Sequence, residues 1–320
     1  RFWDLRTGEE IAQLAATDPG PTLVRWSPDG TMIATAHTDG TIRLWDGTSY
    51  AAKGILEKHE TSALGSATIV SIDFSSDGRV LASYGFDQTV RIWDVGTLTQ
   101  LHAIAVAKPL VADVDAAFQE YPFWAAMRPD GKQFAVSAGS TLAVWDVEAE
   151  SKLPVVGADL VTSQHRVVWS PSGEQIAVAV GSSVVPYCDI VVLDATTGSR
   201  LHVLRGHLNS VVAIDWDGTG SMLATSGLDH TVRIWDVKNE KVLKILQGHR
   251  GNVWDVNFSP DSGYVVSGAE DGTVRVWQVG ATPAQRKLVS VESAPIYRVA
   301  WSPDGKLLAS TGSDNAIRIW

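Results

Sequence analysis

The sequence has little of several things, and each scarcity excludes something. Cysteine occurs once, at Cys188. An internal disulfide and every cysteine-rich metal site are therefore excluded, and a reducing compartment, the cytoplasm, is the expected location. No run of 18 apolar residues occurs, so no helix is expected to span a membrane. Basic residues are in the minority, 26 Lys and Arg against 36 Asp and Glu, for a formal net charge of −10. That balance argues against a general binder of nucleic-acid backbone, whose affinity rests on clustered Lys and Arg. No phosphate-cradling loop, nucleophile elbow or metal constellation is found, and no cofactor is expected.

What is present points to a large core. Hydrophobic residues make up 45% and charged residues 19% of the 320, which is not the composition of a disordered chain. Tryptophan is abundant, with 13 residues.

Repetition organises the chain. The string TVRIWD occurs at 89–94 and at 231–236, with TIRLWD at 41–46, TLAVWD at 141–146, TVRVWQ at 273–278 and AIRIW at 316–320. A degraded copy, IVVLD, lies at 190–194, and RFWD opens the chain. The marker position falls at 3, 45, 93, 145, 193, 235, 277 and 320, giving intervals of 42, 48, 52, 48, 42, 42 and 43 residues. Seven intervals are seven repeats. Inside each, apolar residues alternate with period two, which reads as strands. Turns such as Ser27-Pro28-Asp29-Gly30 and Ser302-Pro303-Asp304-Gly305 carry Pro and Gly where a tight turn wants them. Four short strands cannot bury both faces of their own sheet. Seven such sheets stacked around an axis can, and they leave only short edges exposed.

Gly206-His207 and Gly248-His249 precede the repeats ending at Trp235 and Trp277. With these pairs, the sequence resembles the WD40-repeat β-propeller family over essentially its whole length. The resemblance implies an all-β, seven-bladed propeller of four-stranded antiparallel blades. One domain over 1–320 is expected, with blades near 20–60, 61–107, 108–160, 161–207, 208–249, 250–292, and 293–320 together with 4–16. It also implies structural tetrads within blades, here His207, Thr225, Asp229 and Trp235, and His249, Ser267, Asp271 and Trp277. Thr35/Asp39/Trp45, Ser83/Asp87/Trp93 and Ser310/Asp314/Trp320 keep the same spacing, and His59 is placed to complete the Ser83 set. A repeated buried Ser/Thr, His and Asp set is a means of satisfying polar groups, not a catalytic triad. Two blades depart from the pattern: Gly139 stands where the Asp is expected, and Val178 and Leu193 replace the hydroxyl residue and the Trp.

The ring is expected to close by pairing an outer strand at 9–14 with the last repeat. Residues 1–3 then duplicate 316–320. Either the natural chain continues as a longer array, or that tripeptide frays beside the closure.

Extra length falls in three adjacent repeats, near 57–68, 108–121 and 181–188, where loops of the top face are expected. The resemblance places partner contacts at the first positions of the inner strands (Thr22, Val70, Phe123, His165, Val212, Trp254, Tyr297). It adds the residues two before these (Gly20, Thr68, Tyr121, Ser163, Ser210, Asn252, Pro295) and those preceding the tetrad Asp (Thr38, Phe86, Leu228, Glu270, Ser313). Phe86, Tyr121, Phe123, His165, Leu228, Trp254, Glu270 and Tyr297 form the expected partner-binding set, because aromatic anchors there resemble an interface. The recurrent Arg43, Arg91, Arg233, Arg275 and Arg318 are expected to be solvated and spread, one to a blade. Asp113, Asp115 and Glu120 do not fit a calcium loop, since Ala117 stands at the third ligand position. The leading function is a monomeric, non-catalytic scaffold that binds a protein or peptide through the top face. The alternatives are a regulatory module of a larger signalling protein and a small-molecule binder or enzyme at the pore mouth.

Overall fold

The structure is a computed structural model that describes residues 2–3, 10–12, 21–56, 59–61, 67–106, 122–138, 141–153, 166–182, 185–280, 285–289, 294–314 and 317–319. These residues form an all-β, seven-bladed propeller. Six sheets have four antiparallel strands in sequence order, and the seventh has five strands. The blades cover 21–56, 69–105, 122–152, 167–207, 211–246, 253–289 and, for the seventh, 296–319 with 2–3 and 10–12. They are numbered 1 to 7 in that order. Each innermost strand lies against the innermost strand of the next blade, and Ile296–Trp301 of blade 7 lies against Pro21–Trp26 of blade 1.

Burial follows the radius. Second strands such as Met32–His37, Val80–Gly85 and Met222–Gly227 are buried on both faces after their first residue, because a blade stands on either side. Outer strands such as Lys241–Leu246 expose alternate residues, which is why Leu243 and Ile245 meet solvent. The core consists of seven apolar clusters, one at each interface between blades. One joins Leu23, Leu44 and Leu56 of blade 1 to Ile72, Leu81 and Trp93 of blade 2. Another joins Trp26 and Trp45 of blade 1 to Ala300, Ala309 and Ile317 of blade 7.

Polar side chains tie the splayed inner strands together where no backbone ladder joins them. The amide of Ala125 donates to Ser71 Oγ (3.2 Å), Met127 to Asp73 (3.2 Å), Phe258 to Asp215 (2.7 Å) and Val299 to Asp255 (3.1 Å). At the rim, the third or fourth residue of an outer strand meets the turn of the following blade. Gly54 lies under the Leu98 side chain, His102 bonds Glu150 (2.7 Å) and His202 bonds Glu240 (3.3 Å). Lys244 donates to the Gly280 carbonyl in the same place. Leu98, Glu150 and Glu240 hold positive φ (61°, 47° and 51°), which tips each turn toward its neighbour.

The closing sheet differs from expectation. Glu10–Ala12 does not pair with Ile317–Ile319; Phe2–Trp3 does, in parallel, and Glu10–Ala12 pairs with Phe2–Trp3 outside it. The register explains this. Trp3↔Glu10 and Phe2↔Ala12 repeat the spacing of Trp45↔Ala52 with Leu44↔Gly54, and of Trp93↔Gln100 with Ile92↔His102. The N-terminal segment keeps the hairpin its repeat encodes.

Blade 4 brings a second correction. Its extra residues, near 181–188, were expected as a loop. They instead lengthen a hairpin, with Gln175–Ser182 running against Val185–Asp194 and Gly181 opposite Cys188. Alternating apolar residues can extend a ladder as readily as a loop. The expected growth at 57–68 falls partly, and that at 108–121 wholly, outside the described residues, with Asp113, Asp115 and Glu120 among the latter.

Candidate partner-binding face

The end of the molecule nearest the tetrad Asp residues is built on buried hydrogen bonds. In blade 5, Trp235 Nε1 donates to Thr225 Oγ1 (2.8 Å), which meets His207 Nε2 (2.7 Å), while His207 Nδ1 meets Asp229 (2.8 Å). Burial pushes the His207 pKa below its usual value against the pull of Asp229, so the ring is neutral. A neutral ring has one N–H, which the carboxylate takes at Nδ1, and Nε2 accepts the Thr225 hydroxyl. Asp229 is buried, which opposes its charge. Its bonds from His207, the Leu208 amide and Thr231 nonetheless hold it below the usual carboxylate range.

Blade 6 repeats the set through His249, Ser267, Asp271 and Trp277, with Asp271 held down to about 2. In blade 2, His59 meets Ser83 (2.7 Å) and Asp87 (2.9 Å), and Trp93 donates to Ser83 (2.9 Å). Every hydroxyl in these sets already receives a Trp N–H and faces a buried ring. None is presented to a cleft, so the sets do not form a nucleophile.

Blade 1 uses a residue that the sequence reading missed. His37, two residues after Thr35 on the same strand, places Nε2 3.0 Å from Thr35 Oγ1, and Trp45 donates to that hydroxyl (3.0 Å). A signal existed. Blades 2 and 5 have Gly85 and Gly227 at that position, and a Cβ there would meet the loop histidine, 2.6 Å from His59 Nδ1 and 3.4 Å from His207 Nδ1. Blade 1 fills this space from within the strand.

The recurrent arginines are a third correction. They are not solvated: Arg233, Arg275 and Arg318 are buried, and each sits four residues from a tetrad Asp and pairs with it. Arg43 and Arg91 do the same with Asp39 (3.7 Å) and Asp87 (3.5 Å). The carboxylate stands in the turn that leads into the strand, and it draws the guanidinium inward.

Backbone bonds bring two of the sequence-derived sets together. The amides of Phe86, Leu228, Glu270 and Ser313 donate to the carbonyls of Thr68, Ser210, Asn252 and Pro295, at 2.8 to 3.0 Å. Trp254 and Tyr297 meet edge to face, with centroids 6.4 Å apart. Tyr297 is 39% exposed, and the Trp254 indole Nε1 is buried without a hydrogen-bond partner among the described residues. Phe86 and Leu228 occupy the same position in blades 2 and 5. Tyr121 and His165 lie outside the described residues, as does the Phe123 side chain. Leu208, absent from the sequence-derived set, is 66% exposed beside His207, and its amide is fixed by Asp229. Its signal was its place directly after Gly206-His207.

Among the described residues, no cluster of three or more His, Cys, Asp or Glu is arranged to hold a metal. Cys188 is buried, and burial pushes its thiol up to about 11. No helix among the described residues is long and apolar enough to cross a membrane.

Comparison with known proteins adds the following. A family profile described as "WD domain, G-beta repeat" matches residues 11–46, 54–94, 198–236, 240–278 and 286–320, more than half of the chain. It passes over 95–197, where blades 3 and 4 lie. A stretch of 123 residues is 30% identical to the COMPASS component SWD3 of Saccharomyces cerevisiae, covering 37% of this chain and 36% of that protein. A stretch of 120 residues is 32% identical to transducin-like enhancer protein 2 of Mus musculus, covering 36% of this chain and 15% of that protein. The similarity thus spans about a third of the first relative and less than a sixth of the second.

Proposed function

We propose, from the premise that this chain belongs to the WD40-repeat family, that it is a non-catalytic scaffold which binds a protein or peptide through its tetrad face. The observation that carries this reading is the Trp254–Tyr297 pair. Among the described residues the indole N–H is buried and unpaired, beside a partly exposed phenol, so the pair carries an unmet donor just beneath the surface. Amphipathic aromatics in such a setting anchor interfaces, since they bury large area and still take a hydrogen bond. Leu208, Leu228, Phe86 and Glu270 extend the same rim, and Tyr121, Phe123 and His165 belong to it by their positions in the repeat. One relative's printed name makes it a component of COMPASS, which supports an assembling role for this chain.

A photo-crosslinking amino acid placed at Tyr297, and separately at Ile245 on the exposed outer strand, tests the face. Adducts from position 297 that vanish in a Trp254→Ala, Leu208→Ser chain support it. Capture that survives those changes and crosslinks equally at 245, in a folded protein, rejects it.

A further inference from the structure

The inner strands line a cavity of about 330 Å³. That is the lower end of the roughly 300–1,000 Å³ typical of small-molecule sites. Its charged and polar walls come from the inner strands: Arg25, Asp73, Trp124, Arg166, Asp215 and Asn257. It reaches Ser76 and Pro129, in the turns that follow the inner strands, so it opens at the end opposite Trp254 and Tyr297.

The cavity sets fixed guanidinium donors beside its carboxylates. Arg166 is 8% exposed, stacks 3.4 Å over the Trp124 ring and donates Nη2 to Asp255 (3.2 Å), two blades away. Its Nε has no hydrogen-bond partner among the described residues. Asp255 already accepts on both oxygens, the other one from the Val299 amide. Arg25 donates to the carbonyl of its own neighbour Val24 (3.2 Å) and, among the described residues, forms no ion pair. Asp73 and Asp215 each spend one oxygen on a backbone amide of the next blade.

The two kinds of charge also behave differently. A guanidinium cannot shed its proton, whereas a carboxylate can take one up. Burial pushes Asp73 up to about 6 and Asp215 to about 7, against the opposing pull of Arg25 and Arg166; the nearby Asp255 adds to the upward push on Asp215. The positive charge of the cavity is therefore fixed and its negative charge adjustable. A ligand that brings acceptor oxygens and negative charge would meet the guanidinium groups of Arg25 and Arg166, and proton uptake by the carboxylates would remove the repulsion.

We propose that this cavity binds a small organic oxyanion, whose carboxylate or phosphoryl group is held by Arg25 and Arg166 against the Trp124 wall. The test is isothermal titration of the intact chain with succinate, citrate, glycerol 3-phosphate and inorganic phosphate at pH 6.5 and pH 8. Saturable binding of at least one probe below 1 mM is expected, weaker at pH 8. Arg25→Met should weaken it at least tenfold, Arg25→Lys less, and Asp215→Asn should tighten it and flatten its pH dependence. Arg25 is chosen because Arg166 also crosses the channel to Asp255, and its loss could unfold the ring. Binding of phosphate alone, insensitive to Arg25→Met, identifies adventitious ion pairing and overturns the proposal. So does the absence of binding to any probe by a chain whose melting curve is normal.

Discussion

In blade 5 four polar side chains are buried and each has its partner, from Trp235 through Thr225 and His207 to Asp229. In blade 4 the same strand positions hold Val178 and Leu193, packed with Trp124, Trp169 and Ile176 and with no polar side-chain atom to satisfy. Both wedges are filled. Blade 3 stands between them: Trp145 stacks flat on Phe134 at 6.3 Å, but its Nε1 has no partner among the described residues. The contrast fits a general asymmetry of hydrogen bonding. A complete network and its complete replacement by apolar groups are both tolerable, while a partial network leaves buried groups unpaired.

Substitutions can break this contrast, beginning with the largest expected effect. Asp229→Ala strands His207, Arg233 and the Leu208 amide in a buried site. It should lower unfolding free energy by about 3–5 kcal/mol, read from urea denaturation. A loss below about 1 kcal/mol would mean that the network is ornamental. Val178→Thr puts a hydroxyl into blade 4 without the indole or imidazole that would receive it, and should cost about 1–3 kcal/mol. If it is neutral, blade 4 hides a partner for that hydroxyl.

Acid separates the blades as well. Burial holds His59 and His207 below their unfolded value, so each stabilises the fold above pH 6.5. That stability is lost as pH falls from 6.5 toward the folded pKa, by at most about 1.4 kcal/mol per pH unit for each ring. Hydrogen exchange corrected for intrinsic rate should show Ser83 and Thr225 losing protection between pH 7 and 5.5, with Val178 unchanged. Uniform loss in all three blades would contradict the comparison. The smallest effect is expected for Trp145→Phe, within about 1 kcal/mol of neutral, because it removes an indole N–H that already lacks a partner. Trp235→Phe, which breaks a 2.8 Å bond, should cost more in the same thermal melt.

Much of this architecture was legible in sequence because it is periodic. Spacings of six and ten residues between Trp and its Asp and hydroxyl are fixed by strand register, so the blades and their networks could be counted. What was not legible depended on competition between neighbours. The arginines alternate with core residues on their strands and looked solvated; only the carboxylate four residues earlier explains their burial. His37 escaped because it substitutes for a histidine expected in a loop. The pairing of Phe2–Trp3 with Ile319 turned on which of two hairpins survives, a choice no local pattern encodes. The partner face was legible as positions but not as geometry. Only coordinates bring Trp254 and Tyr297 into edge contact or leave an indole unpaired.

The rim contacts bear on how such a ring can change by duplication. Leu98 of blade 2 lies over a glycine of blade 1, and Glu240 of blade 5 answers a histidine of blade 4. A repeat copied to a new place in the gene would carry one half of each contact and leave the other behind. It would set Leu98 over a side chain where Gly54 had left room, or Glu240 opposite a residue that cannot bond it. The inherited unit in this molecule is therefore the joint between two blades, and a successful rearrangement must move the pair that shares it.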